Sequence, residues 1–226
     1  MTMDNITIVI PVYNPDKEIL KKVEVALKKQ NYGGKVQVIK VDEGWGLAKS
    51  MNYGIKKAKD NIVITLHQDC IPISNDWLST LIKPLENPDV VASTSDVRDF
   101  EKKKTYTPLL DEKGCAYKKE ALEKVGYFDE TIFLNSGEDM GLYMKLKKIG
   151  KIAYPHSLVE HYHPGYLGAK GYKRLQNANT WGCLFRIYGT SLPGWWKSLL
   201  KANVFNPPYF YWFWRGFVLR KQDFKR

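Results

Sequence analysis

Hydrophobic residues follow two alternating patterns along the first part of the chain. Short β-branched and apolar runs, such as ITIVIPV at 6–12, have the length and composition of buried strands. Between these runs, apolar residues recur every three or four positions, as Ile19, Val23 and Leu27 do, with lysines on the opposite side. These patterns predict strands at 6–12, 35–41, 61–66 and 89–95, and helices at 16–30, 47–59, 77–85, 117–125 and 138–149.

Strands that alternate with helices of this length predict an α/β fold with a mostly parallel sheet flanked by helices. The pattern weakens after the fourth strand. Residues 96–108 are polar and show no periodicity, so they are predicted to form a loop.

Charge and aromatic content divide the chain near Gly165. Residues 165–226 hold eleven Lys or Arg, a single acid, Asp223, and 16 of the 30 aromatic residues. They therefore carry +10 of the formal net charge of +11. We predict a nearly neutral catalytic domain at 1–164 and a basic, aromatic, helical extension at 165–226.

The composition also argues against several classes of protein. No apolar run reaches the roughly 18 residues needed to span a bilayer. The first residues lack the basic region of a signal peptide. Cys70, Cys115 and Cys183 are isolated, which fits neither a disulfide framework nor a zinc site. We therefore expect a protein of the reducing cytoplasm.

Polar residues follow the ends of the predicted strands. PVYNP ends the first strand, VDEG follows the second, and His67, Gln68 and Asp69 follow the third. Ligands of open α/β sheets bind beyond the carboxyl ends of the strands, so Asp69 is a candidate carboxylate for a metal or a phosphate. The HYH segment that begins at His161 is a further candidate.

Seven motifs occur in an order that resembles one enzyme family. They are VIPVYNP, VDEG, GLAKSMNYGI, HQDCIP, GCAYKKEALEKVGYFDE, GEDMGLYMKLKKIGKIAYP and VEHYHP. Together, over about residues 5–165, they resemble family-2 glycosyltransferases with the GT-A fold. The resemblance implies transfer of a sugar from a nucleoside-diphosphate donor to a hydroxyl group of a glycan, glycolipid or glycoprotein.

The resemblance assigns the nucleotide to residues near the first two strands. It implies that Pro11, Val12 and Tyr13 contact the base and ribose, and that Asp42 accepts a hydrogen bond from a pyrimidine ring, which favours UDP or dTDP. Two further residues would lie near the nucleotide, namely Lys49 and Asn52. A turn former at Asp42 and a solvated lysine at Lys49 are the alternatives.

The resemblance also implies a metal site. His67-Gln68-Asp69 aligns with the family's Asp-any-Asp triplet, with His67 in place of the first aspartate. Asp69 would bind Mg²⁺ or Mn²⁺, while His67 and Gln68 would contact the substrate. His161 would be the second ligand, with His163 as a second candidate. An imidazole ligand favours Mn²⁺.

Three other residues take roles from the resemblance. Asp139 resembles the general base that accepts the proton of the acceptor hydroxyl in a single inverting displacement. Glu138 would bind the sugar or orient the site, and Gly114 would let the backbone approach the donor sugar. The alternative for Glu138 and Asp139 is that acids in a first turn merely balance the helix dipole.

The extension contains six consecutive aromatic residues at 209–214, beside Arg215 and Arg220. Such a segment favours the headgroup layer of an anionic membrane, which predicts a peripheral protein at the inner face. Packing under the catalytic domain or in an oligomer contact remains open.

Two other functions remain as alternatives. Loss of the first aspartate of the triplet allows a catalytically inactive nucleotide-sugar-binding module. Basic charge with interleaved aromatics allows a single-stranded nucleic-acid-binding protein. That class leaves Asp69 and Asp139 unexplained, so no nucleic-acid partner is expected. The sugar, the acceptor and the oligomeric state stay undetermined.

Overall fold

The computed structural model describes residues 5–132, 136–162, 170–197, 200 and 207–220. The chain forms two compact units. The first comprises Met1–Trp45, Lys49–Tyr127 and Lys145–Pro164, and the second comprises Gly46–Ala48, Phe128–Met144 and Gly165–Arg226. Residues 128–144 thus group with the C-terminal extension, and the division into 1–164 and 165–226 stays a prediction.

Ten strands lie in the described part of the first unit. They are β1 (Ile6–Pro11), β2 (Val36–Val41), β3 (Ile62–Leu66), β4 (Cys70–Pro72), β5 (Val90–Thr94), β6 (Asp96–Asp99), β7 (Lys104–Tyr106), β8 (Gly114–Lys118), β9 (Lys151–Ala153) and β10 (Leu158–His161). Among the residues that the structure describes, the α-helices are α1 (Lys17–Lys28), α2 (Leu47–Lys57), α3 (Trp77–Ile82), α4 (Lys119–Val125), α5 (Glu138–Leu146), α6 (Lys170–Tyr188) and α7 (Pro207–Leu219).

Six strands form the central sheet in the order β2-β1-β3-β8-β5-β9. β1 runs parallel to β2 and β3, and β5 runs parallel to β9, whereas β8 runs antiparallel to both β3 and β5. Every residue of β3 is buried, as expected for a strand covered on both faces. The predicted α/β fold, with a mostly parallel sheet and flanking helices, is confirmed.

A second sheet corrects one prediction. Its order is β4-β10-β6-β7, and β6 and β7 lie within residues 96–108, which the sequence predicted as a loop. β6 pairs with β10 in parallel and with β7 in antiparallel orientation. The loop prediction was wrong because pairing with a distant strand stabilises these short polar strands, and local hydrophobicity does not record that pairing.

The boundaries of the other elements follow local signals. Asp16 caps α1 by accepting hydrogen bonds from the backbone of Glu18 and Ile19 at 3.0 and 3.2 Å. The helix predicted at 117–125 begins at Lys119 instead, because Gly114–Lys118 forms the buried strand β8. Ala116 of β8 belongs to the same hydrophobic core as the buried residues of β1 and β3.

The second unit contains the paired helices α6 and α7. Ala178, Tyr209 and Phe213 form the buried centre of this pair, with further aromatic rings packed around them. The aromatic run at 209–214 therefore has a buried part, which includes Tyr209 and Phe213, and an exposed part, which includes Phe210 and Tyr211. None of the helices in the described ranges combines the length and apolar character needed to cross a membrane.

Candidate metal and nucleotide site

A metal-binding group forms where β3 gives way to β4. His67, Gln68 and Asp69 occupy this connection, and β10 pairs antiparallel with β4 so that His161 lies opposite Cys70. Asp69 Oδ2 is 3.5 Å from His161 Nε2. The backbone N–H of Tyr162 also donates to the Asp69 carbonyl at 2.9 Å, which holds the two segments together.

Four side chains converge at this point. His67, Asp69, Cys70 and His161 each offer a ligand atom, and these atoms all lie within 4.8 Å of one another. A carboxylate and two imidazoles suit a borderline divalent ion such as Mn²⁺. Burial raises the pKa of the Cys70 thiol well above its ordinary value. Sulfur is also a soft ligand, which suits Zn²⁺ or Cu⁺ better than Mn²⁺. The donor set that fits the ion is therefore His67, Asp69 and His161.

The charges around the group keep Asp69 ionised. Burial opposes ionisation, but the hydrogen bond to His161 and the nearby His67 outweigh it, so the pKa of Asp69 lies below its ordinary value. An ionised carboxylate is the form that binds a cation. This group of side chains therefore presents a negative charge to a metal ion.

Sequence reasoning missed Glu112, a buried acid beside the triplet. Its Oε1 atom is 3.3 Å from His67 Nε2. Burial opposes the charge on both groups, but each raises the charged fraction of the other: the pKa of Glu112 is lowered and that of His67 is raised. The available signal was the charged triplet DEK directly before an apolar strand, because polar residues at strand ends gather at one edge of a sheet.

Gln68 joins the triplet to the end of the first strand. Its Oε1 accepts a hydrogen bond from the Tyr13 backbone N–H at 2.8 Å, and its Nε2 donates to the Tyr13 carbonyl at 2.8 Å. The Tyr13 ring remains 66% exposed and is available for stacking. The structure therefore brings Tyr13 and Asp69 into one site through Gln68.

The ends of β1 and β2 are also adjacent. Pro11 pairs with Val41, and the Val12 N–H donates to the Val41 carbonyl at 2.7 Å. Asp42 follows directly and is exposed to solvent, so its carboxylate is accessible to a ligand. These contacts place Pro11, Val12 and Asp42 along one edge of the sheet.

The two candidates on α2 differ in environment. Lys49 is exposed, and its Nζ lies 4.6 Å from the centroid of the Trp45 ring. Asn52 is buried. Lys49 thus has an aromatic partner as well as access to solvent, whereas the Asn52 side chain faces the interior.

Gly114 lies close to side chains from other segments of the first unit. A Cβ atom at this position would lie 3.0 Å from Ser95 Oγ and 3.1 Å from a Val159 methyl group. The space beside the glycine is therefore filled by protein side chains. This crowding favours a glycine here independently of any donor sugar.

The remaining candidates lie elsewhere in the chain. Glu138 and Asp139 form the first turn of α5 and belong to the second unit. Glu138 is buried, and Asp139 Oδ1 accepts a hydrogen bond from the Met140 N–H at 2.6 Å. His163 lies outside the described residues.

Comparisons with known proteins give one family model and two solved structures of similar fold. The profile of glycosyl transferase family 2 matches residues 16–138, which is just over half of the chain. A search of curated proteins gives no significant match.

Two solved structures share the fold. One is the mannosyltransferase PcManGT from Pyrobaculum calidifontis in complex with GDP-Man and Mn²⁺, with a TM-score of 0.64 and 18% identity over 88% of this chain and 68% of that chain. The other is GalNAc-T7 with UDP, GalNAc and Mn²⁺, with a TM-score of 0.59 and 17% identity over 84% of this chain. This chain spans 52% of the GalNAc-T7 chain. Both are glycosyltransferases, which supports the GT-A fold.

Proposed function

Because this chain belongs to glycosyl transferase family 2, we propose that it transfers a sugar from a nucleoside-diphosphate donor to a hydroxyl group of an acceptor, with inversion. The observation that carries the proposal is the convergence of Asp69, His161 and His67 beside the Tyr13 turn. A metal-binding group next to an exposed aromatic ring suits a nucleoside diphosphate, which has a charged diphosphate and a flat base.

Asp69 and His161 are proposed to hold Mn²⁺ or Mg²⁺. Their ligand atoms belong to a group that lies within 4.8 Å, and the two similar structures both contain Mn²⁺. Such an ion supplies charge neutralisation for the departing nucleoside diphosphate. The lowered pKa of Asp69 supports its role, since it keeps the carboxylate ionised.

The Tyr13 turn and Asp42 are proposed to select the base. Tyr13 would stack on it, and Asp42 would accept a hydrogen bond from the N–H of a pyrimidine, which favours UDP or dTDP. The exposure of both side chains supports these contacts. One similar structure contains GDP-Man and the other UDP, so GDP is the competing nucleotide.

Asp139 is proposed as the general base. Its support is the GED motif, in which the acid opens a helix, together with the family membership of the chain. A base that accepts the proton of the acceptor hydroxyl, opposite the leaving diphosphate, gives inversion in one displacement. Replacement by asparagine should abolish sugar transfer without weakening nucleotide binding. Loss of both would indicate a binding or structural role instead.

The decisive experiment is a thermal-stability panel of UDP, dTDP and GDP, each with and without Mn²⁺. A ligand at about 100 times its dissociation constant should stabilise the protein by roughly 2.7 kcal/mol. We expect stabilisation by UDP or dTDP that requires Mn²⁺ and is lost in Asp69→Asn. The matched control is Asp89→Asn, which removes an exposed carboxylate of the same unit that pairs with Lys151.

Each other outcome has a distinct meaning. Stabilisation by GDP alone would keep the transferase and overturn the role of Asp42. No response to any nucleotide would contradict the proposal.

An inactive nucleotide-sugar-binding module is the second candidate. The specific observation in its favour is His67, which stands where the family's triplet has its first aspartate. It predicts Mn²⁺-dependent nucleotide binding without turnover. Donor hydrolysis or transfer, followed as released nucleoside diphosphate over hours, separates it from the enzyme.

The exposed face of α7 is proposed to rest on an anionic membrane, where a lipid-linked acceptor would be held. Phe210, Tyr211 and Val218 on this helix are 47%, 53% and 71% exposed. Arg215 lies among them, with its guanidinium 5.9 Å from the Tyr211 ring. Aromatic residues with interspersed arginines suit the headgroup layer, and the basic charge of residues 165–226 suits anionic lipid.

Sedimentation with vesicles tests the membrane contact. Binding should occur to phosphatidylglycerol vesicles at low salt, weaken as salt is added, and be weaker for pure phosphatidylcholine. Val218→Ser should reduce binding, whereas Val25→Ser, at a 42% exposed position on α1, should not. Absence of binding at low salt would reject this contact and leave a free glycan or protein as the acceptor.

A further inference from the structure

Glu112 is a buried acid that the proposed chemistry does not use. Only 4% of the residue is exposed. Its Oε1 atom lies 3.3 Å from His67 Nε2, which is an ion-pair distance. Among the described residues, neither His67 Nε2 nor Glu112 Oε2 has a partner in hydrogen-bond geometry. Burying a carboxylate with an unsatisfied oxygen is unfavourable, so its presence beside the triplet requires an explanation.

The contact with Glu112 determines which nitrogen of His67 remains available. An imidazole has two ring nitrogens, and a hydrogen bond to one sets the role of the other. With Nε2 directed to Glu112, Nδ1 is the nitrogen left for a cation. The His67 and His161 rings are 6.4 Å apart and nearly perpendicular at 81°, and both belong to the four-residue group with Asp69.

We propose that Glu112 is a positioning residue of the metal centre, which holds His67 through Nε2 so that Nδ1 is the third protein ligand beside Asp69 and His161. This inference rests on the metal site of the proposed function. Histidine ligands commonly donate their second N–H to a carboxylate, which fixes the ring and strengthens the ligand.

The pair also explains how the site accommodates a histidine within the triplet. An imidazole that binds a metal is neutral, so in the metal-bound form His67 and an ionised Glu112 together bring one negative charge. That is the charge of the aspartate they replace in the Asp-any-Asp pattern. The first carboxylate of the triplet is thus supplied from the segment that precedes β8 rather than from the end of β3.

Metal affinity tests the proposal without reference to turnover. Mn²⁺ binding to the full chain is measured by isothermal titration calorimetry and by the electron paramagnetic resonance signal of free Mn²⁺. Glu112→Gln should weaken binding by about 10–100-fold, the usual effect of losing such a partner. Asp89→Asn, which removes an exposed carboxylate that pairs with Lys151, should change it by less than about twofold.

A double-mutant cycle separates positioning from general stabilisation. In the His67→Asp background the triplet has its own carboxylate, so adding Glu112→Gln should cost little metal affinity. An equal loss in both backgrounds would mean that Glu112 acts on the cation through charge alone, and would overturn the positioning role. Thermal melts without metal show whether each variant folds.

The outcomes distinguish this inference from the proposed function. Absence of Mn²⁺ binding by the unaltered chain would contradict the metal site, and the positioning role with it. Binding by the unaltered chain with equal affinity in Glu112→Gln would overturn the role of Glu112 alone. If Glu112→Gln does not fold, the Mn²⁺ affinity of Glu112→Asp tests the proposal instead. This variant keeps the charge but shortens the side chain, and it should weaken binding at least about tenfold; unchanged affinity would overturn the proposal.

Discussion

Replacing Gly182 by alanine probes a close backbone contact between α6 and α7. A Cβ atom at Gly182 would lie 1.9 Å from the Phe213 carbonyl oxygen and 2.9 Å from the Phe217 nitrogen. Gly216 on α7 makes the corresponding contact with α6, where a Cβ at Gly216 would lie 2.1 Å from the Asn179 carbonyl oxygen. The two helices therefore meet backbone to backbone at two glycines.

The magnitude follows from this geometry. Cβ atoms essentially never approach another heavy atom closer than 3.0 Å, so the helices must separate by about 1 Å at the Gly182 contact. The obstacle is backbone, which cannot relax by changing a rotamer. Overpacking of this kind costs up to about 3 kcal/mol, while alanine regains about 1 kcal/mol of helix propensity. We expect a net loss of about 2 kcal/mol in the unfolding free energy of the second unit.

Urea denaturation followed by circular dichroism and tryptophan fluorescence measures this loss. Val218→Ala, at a 71% exposed position on α7, is the control and should change the free energy by less than about 0.5 kcal/mol. A Gly182→Ala variant as stable as the parent, or more stable, would refute the reasoning. In that case only helix propensity would have changed, and the helices would not cross at Gly182.

Three further predictions concern the first unit. Gln68→Ala removes both hydrogen bonds to the Tyr13 backbone, so calorimetry should show nucleotide binding weakened by about tenfold with Mn²⁺ affinity little changed. Trp77→Phe removes the indole N–H that donates to Ser95 Oγ at 3.0 Å in the core, and should cost about 1–3 kcal/mol in urea denaturation. Burial opposes ionisation of Asp69, but His161 and His67 outweigh it and lower the pKa of the carboxyl group in the folded protein. The charged carboxylate therefore stabilises the fold at pH values above about 3.9, the ordinary pKa of an aspartate. The difference in unfolding free energy between the parent and Asp69→Asn should therefore shrink as the pH falls from about 5 to 2.

Each of these predictions has a contrary result. Equal weakening of nucleotide and Mn²⁺ binding in Gln68→Ala would mean that the side chain supports the whole site rather than the Tyr13 turn. A Trp77→Phe variant of unchanged stability would mean that the buried hydrogen bond contributes nothing. A stability difference for Asp69→Asn that is independent of pH would mean that the charge of the carboxylate does not stabilise the fold.

The central sheet was predictable because its signals are local. β1 and β3 are short apolar runs, and the stripe of Ile19 and Val23 marks the buried side of α1. The strand β8 was missed because its five residues, GCAYK, are too few to show a period, and the helix that follows at once has a stronger pattern. Short strands are stabilised by their neighbours in the sheet rather than by their own sequence.

The metal group was predictable only in part. The motif at 67–69 and the late histidine indicated Asp69 and His161 as partners, and the structure brings them to 3.5 Å. Glu112 matched no motif and was found only in the folded chain. The close packing around Gly114 could not be read from the sequence, because Ser95 approaches it from the connection between β5 and β6 and Val159 approaches it from β10.

The sequence by itself determined the order of the four apolar strands and of the helices between them, the family, and the residue types that can hold a metal, because periodicity and motifs are properties of neighbouring positions. Only the tertiary structure decided which of those residues meet. The antiparallel pairing of β4 with β10 sets His161 beside Asp69, and the segment before β8 brings Glu112 to His67. Register between distant strands depends on how side chains pack across the whole core, and no stretch of sequence specifies it alone.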